Sequence, residues 1–142
     1  MMRQILFLTF FLITYSARSQ QLEITVSNIR NNKGQLRFAF YNNAESFDKD
    51  KPALFFKTVS KSEVRGDSLH VTYGGIPSGI YGIALLDDEN SNQEMDYRLF
   101  LPTEGFGFSD YYHTGMTRPK FEKFKFVLGS NLLKIHIKIR YL

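Results

Sequence analysis

Leu133-Lys134-Ile135-His136-Ile137-Lys138-Ile139-Arg140-Tyr141 alternates between apolar and polar side chains without a break. A β-strand sends successive side chains to opposite faces. This period of two therefore predicts a strand with Leu133, Ile135, Ile137, Ile139 and Tyr141 on a core, and Lys134, His136, Lys138 and Arg140 in water. The basic face also discourages edge-to-edge pairing with another chain. Upstream the same period recurs. Leu22, Ile24 and Val26 alternate with Glu23, Thr25 and Ser27; after Asn31-Asn32-Lys33-Gly34, Leu36, Phe38 and Phe40 alternate with Arg37, Ala39 and Tyr41. The turn residues between these two runs predict a hairpin.

Further runs follow at Ala53 to Val59, at Leu69, Val71 and Tyr73, and from Ile80 to Leu86, where Tyr81, Ile83 and Leu85 oppose the small Gly82 and Ala84. After an irregular stretch from Asp87 to Pro119, Phe124, Phe126 and Leu128 alternate with Lys123, Lys125 and Val127. No long segment carries a helical period. About seven short strands with Gly, Asn and Pro turns predict an all-β fold, an immunoglobulin-like (prealbumin-like) β-sandwich. His70 and His136 fall on polar strand positions and read as surface residues.

The amino terminus reads differently. Arg3 precedes an apolar run from Ile5 to Tyr15, and Ala17 and Ser19 are small residues at the −3 and −1 positions of a cut after Ser19. Residues 1–19 are thus expected to be a cleaved secretory signal. The run is shorter than the roughly 20 residues a spanning helix needs. Residues 20–142 fit one domain, which at this size hides about two-thirds of its unfolded surface and needs no staple. The chain has no cysteine, so neither a disulfide nor a lipid-modified cysteine is available. Without Arg3 and Arg18 the formal charge falls from +4 to +2, too small a bias to imply nucleic-acid binding. The expected location is the periplasm or the medium, with no transmembrane segment in the mature form.

Ile76-Pro77-Ser78-Gly79-Ile80-Tyr81 opens the fifth run, Asp88-Glu89-Asn90-Ser91-Asn92 through Asp96 forms an acidic turn, and Pro102-Thr103-Glu104-Gly105-Phe106-Gly107-Phe108-Ser109 follows. This ordered set resembles the exported bacterial proteins known as domain of unknown function 2141. Their pattern is leucine-proline-x-glycine-x-tyrosine, then an aspartate-glutamate-asparagine-x-asparagine turn ending in aspartate, then proline-x-glutamate-glycine-tyrosine or phenylalanine-glycine-phenylalanine-serine. The strand start is also similar to that of transthyretin-like and carboxypeptidase-regulatory-like sandwiches. The resemblance implies a fold and an exported location, and no reaction. Asp87 stands where a histidine is common, and Gln93 where a glycine is common.

Asp88, Asn90, Asn92, Glu94 and Asp96 occupy every second position, as ligand positions 1, 3, 5, 7 and 9 of a calcium loop do. Such an all-oxygen set suits Ca2+, with Glu104 as a remote ligand. Gln93 and Leu99 oppose this, standing where an EF-hand loop has its glycine and its bidentate glutamate. The alternative is that these side chains bond their own backbone in Asx-turns. Tyr97, Phe100, Phe106, Phe108, Tyr111 and Tyr112, with Glu104 and His113, form the candidate ligand platform; the competing role for the rings is to cap the open end of the core. Ser109, Asp110 and His113 supply the residue types of a triad without the frame that positions one. Asp88, Asp96 and Glu104 are available as paired carboxylates for glycoside cleavage.

The expectation is an exported, non-enzymatic β-sandwich acting as a binding or accessory module of the cell envelope, with an envelope protein or a polysaccharide as partner. Two alternatives stand beside it: a calcium-dependent carbohydrate- or peptide-binding module using the loop from Asp87 to His113, and a hydrolase using the loop carboxylates.

Overall fold

The computed structural model describes residues 20–51 and 55–142, with ten strands among them. The expected signal, residues 1–19, lies outside the described residues, as does the start of the third run at Ala53 and Leu54. The strands are β1 (Gln21–Ser27), β2 (Gln35–Tyr41), β3 (Phe55–Ser60), β4 (Leu69–Gly74), β5 (Gly79–Asp88), β6 (Tyr97–Arg98), β7 (Leu101–Pro102), β8 (Gly105–Phe108), β9 (Lys125–Leu128) and β10 (Leu133–Lys138). A short helix, α1 (Ala44–Asp48), is capped by Asn43, whose side chain accepts from the Ser46 N–H. Among the described residues no helix is long and apolar enough to cross a membrane.

Two sheets face each other. One has the order β10-β1-β4; the other has the order β3-β2-β5-β8, with β9 pairing the first half of β5. The expected β1–β2 hairpin does not form. β1 instead pairs in parallel with β10 and antiparallel with β4, while β2 lies between β3 and β5. The turn at 31–34 therefore carries the chain from one sheet to the other, because each strand buries more apolar surface across the sandwich than a two-stranded ribbon would. Leu22, Ile24, Val26, Ile135 and Ile137 of one sheet meet Leu36, Phe38, Phe40, Tyr81, Ile83 and Leu85 of the other in the main core. Lys134, His136 and Lys138 are exposed, as the alternation requires.

A second layer covers the outer face of the larger sheet. Ala39 and Tyr41 of β2 pack there with Phe47, Phe108, Phe121 and Phe124. Phe124 thus departs from its expected place beside Phe126. It ends a 3-10 turn (Phe121–Lys123), and β9 starts only at Lys125, so Phe124 turns to the outer face while Phe126 packs on the main core. The small side of β5 makes room for this layer. A Cβ on Gly82 would come within 2.6 Å of the Phe124 ring and 2.7 Å of the Phe121 ring.

Candidate functional site

The segment between β5 and the Phe121 turn forms the acidic turn, the β6–β7 hairpin and β8, and helps line a cleft over the outer face of the larger sheet. The Asp88 carboxylate is fully buried and accepts from the backbone N–H groups of Asn92 and Gln93 and from the Gln35 side chain. Asn90 Oδ1 accepts from the Asn92 N–H, and Asn92 Oδ1 from the Glu94 N–H. The Asp96 carboxylate receives the side-chain amides of Asn90 at 2.6 Å and Asn92 at 3.2 Å. Buried Glu104 closes the turn from below, accepting from the N–H groups of Glu89 at 3.0 Å and Asp96 at 3.3 Å. Its carboxyl is raised above the usual range, burial outweighing these two bonds. The acidic turn is thus held by Asx-type bonds to its own backbone. Among the described residues no group of three or more His, Cys, Asp or Glu side chains is arranged to hold a metal ion.

At its rear the turn is tied to the sandwich by charge. Arg30 donates to Glu89 at 2.5 Å and lies over the Tyr141 ring, 4.4 Å from its centroid. The guanidinium holds the Glu89 carboxyl below the usual carboxylate range and is itself raised. Beside it, Lys61 and Asp87 form an ion pair at 2.5 Å with both side chains wholly buried. Tyr141 donates its hydroxyl to the other Asp87 oxygen at 2.5 Å, and its own pKa is raised, chiefly by burial and then by this bond.

The expected platform residues separate into three groups. Phe108 is buried, and Phe106 and Tyr111 are half-buried against the second layer, so these three cap the core. Tyr112 stands apart, exposed, with the Lys138 ammonium 5.1 Å from its ring centroid. Tyr97 and Phe100 are exposed on the small β6–β7 hairpin, where Tyr97 pairs with Pro102 and Arg98 with Leu101. The hairpin forms one wall of a cleft of about 740 Å³. Its floor is the outer sheet face at Ala39, Ala84, Phe106 and Phe108, and its far wall is the segment from His113 to Pro119. Arg118 anchors that segment, donating to the Phe47 carbonyl at 2.7 Å and stacking on the Phe47 ring. Ala39, Leu101, Met116 and Arg118 were not legible as site residues. Leu99-Phe100-Leu101, an apolar triplet inside a polar loop, was the available signal.

Ser109, Asp110 and His113 are each bonded elsewhere. The Ser109 hydroxyl accepts from the Ile83 N–H and donates to the Phe124 carbonyl; Asp110 accepts from the His136 N–H; His113 Nε2 donates to the Thr117 carbonyl at 2.5 Å. His70 and His136 are exposed and bond to Thr25 and Ser27 on the outer face of the smaller sheet.

No curated protein matches the chain, and no solved structure does. The family model described as an uncharacterized protein conserved in bacteria, domain of unknown function 2141, matches residues 24–136. That span takes in both sheets, the acidic turn, the hairpin and the cleft, and the chain belongs to this family.

Proposed function

We propose that the chain is an exported, non-enzymatic, immunoglobulin-like (prealbumin-like) β-sandwich that serves as a binding or accessory module of the cell envelope, and that its contact surface is the cleft beside the β6–β7 hairpin. The cleft carries this reading. Its volume of about 740 Å³ lies within the range of sites that take small or extended ligands, roughly 300–1,000 Å³. The exposed rings of Tyr97 and Phe100 and the half-buried ring of Phe106 line it, together with polar groups that include Arg37, His113 and Arg118. Flat rings with polar groups at the margins suit a polysaccharide or an extended peptide. The apolar run before Ser19 supports export.

Sedimentation with isolated bacterial cell envelopes tests the module. The mature protein should pellet with them, and Ala84→Phe, which fills the cleft floor, should weaken this at least about tenfold, as should Met116→Glu at the exposed far wall. Undiminished pelleting by both variants, each still folded by circular dichroism, would place the contact elsewhere on the molecule. Mass spectrometry of the protein recovered from the host checks export: a chain starting at Gln20 or Gln21 is expected, and one retaining Met1 overturns it.

A further inference from the structure

Leu99 and Phe100 are 84% and 96% exposed, the highest values of any large apolar side chain among the described residues. They are also the two central residues of the turn joining β6 to β7, and both hold positive φ, 50° and 69°. These are two separate costs. Exposed apolar surface forfeits burial, and a left-handed backbone is unfavourable for any side chain with a Cβ. Among the described residues nothing recovers either, because the apex projects from a hairpin of only two strand pairs and both side chains are almost wholly exposed. Strain coinciding with exposure points to an external contact made at the apex.

We propose that the β6–β7 apex is a membrane anchor, with Leu99 and Phe100 entering the outer part of a phospholipid bilayer. The layering behind the apex favours a bilayer over a protein pocket. Arg98, the sole charge in the hairpin, stands one residue behind Leu99, and Tyr97, 66% exposed, stands two behind. An apolar tip backed by a cation and an aromatic ring matches acyl chains followed by the interface, where both residue types anchor. Met116, 73% exposed across the cleft mouth, adds a second apolar contact. A bilayer also accepts a projecting tip without a shape-matched wall, and this tip has none of its own. Two side chains give reversible attachment only, since even one acyl chain binds marginally. The anchor rests on the reading of the chain as an envelope module and would hold the cleft near the membrane surface.

The chain contains no tryptophan, so Phe100→Trp creates a single reporter at the apex. With vesicles of phosphatidylethanolamine and phosphatidylglycerol, its emission should shift to the blue and be quenched by brominated acyl chains. Val127→Trp, on β9 beside Ile80 at the other end of β5 and about 25 Å from the acidic turn by strand rise, should do neither. Leu99→Ser/Phe100→Ser should lower vesicle partitioning of the otherwise unchanged protein by about a hundredfold. Emission unmoved at millimolar lipid overturns the anchor. So does a blue shift that needs no vesicles and grows with protein concentration, which would make a second copy the occupant. If vesicles have no effect while Ala84→Phe still abolishes pelleting with cell envelopes, the anchor falls and the binding module stands.

Discussion

A mirror-image turn with positive φ at both central residues is normally built from asparagine and glycine, which tolerate that backbone. Leu99 and Phe100 occupy it instead. Each left-handed residue with a Cβ costs about 1–2 kcal/mol. Leu99→Asn/Phe100→Gly should therefore raise stability by about 1–2 kcal/mol, read as a higher urea midpoint with an unchanged slope, while weakening vesicle binding. A lower midpoint would mean that the apex side chains are stabilised from within the chain. Glu89 shows the opposite economy, a single side chain stabilised by its partner. Arg30 depresses its carboxyl, so the unfolded chain binds more protons than the folded one near the carboxylate range. The pair's stabilisation is complete above about pH 4.3, the ordinary glutamate value, and is lost as pH falls through the lower folded value. Glu89→Gln should cost about 1 kcal/mol or less at neutral pH, because the Arg30 side chain is 42% exposed, and nothing in strong acid. A cost that persists in acid would show that the carboxylate charge is not what Arg30 recognises.

Strands with one wet face were legible from period alone. β1, β4 and β10 belong to the sheet whose outer face is in water, and their alternation places nearly every side chain correctly. β8 was not legible because both its faces are covered: Gly105 and Gly107 press against Ile139, Tyr141 and Ile137 while Phe108 fills the second layer. With glycine on one face and phenylalanine on the other, both buried, no polar period marks it. Strand pairing failed for a related reason, since a turn sequence such as 31–34 states that the chain reverses and not which sheet receives it. The acidic turn was visible as composition, and its two competing readings needed the donors. Asn90 and Asn92 direct their amides at Asp96, so a cation would have to displace them. Thermal melts in chelator and in millimolar calcium should therefore superimpose. A gain approaching 2.7 kcal/mol at calcium a hundredfold over its dissociation constant, abolished by Asp96→Ala, would establish an ion site instead.

At the scale of the whole molecule the two sheets are joined along one side and locked at one end. Beyond β10, Ile139 still bonds to Ser27 of β1, but Arg140 exchanges both backbone bonds with Phe106 of β8, so the carboxy-terminal segment crosses from one sheet to the other. Tyr141, the next residue, reaches Asp87 on β5, which pairs with Lys61 from the turn after β3; Lys61 in turn reaches Asn31 between β1 and β2 at 3.2 Å. The sequence marked Asp87 only as a departure from the family's usual histidine, because its partners are 26 and 54 residues away. A buried ion pair is costly to desolvate, and its main effect is felt when half of it is removed. Lys61→Met should cost about 3–5 kcal/mol, leaving the Asp87 charge buried without a cation. Tyr141→Phe should cost about 1–3 kcal/mol, the penalty of one unsatisfied carboxylate oxygen. Lys61→Met/Asp87→Leu should recover most of the loss, since a packed apolar pair avoids the desolvation altogether. Urea unfolding of the parent, Lys61→Met, Asp87→Leu and the double variant at neutral pH gives the coupling directly. Additive losses in the double variant would show that Lys61 and Asp87 are independent and that the sandwich end is held by packing alone; a double variant near the parent's stability places the lock in the charge pair.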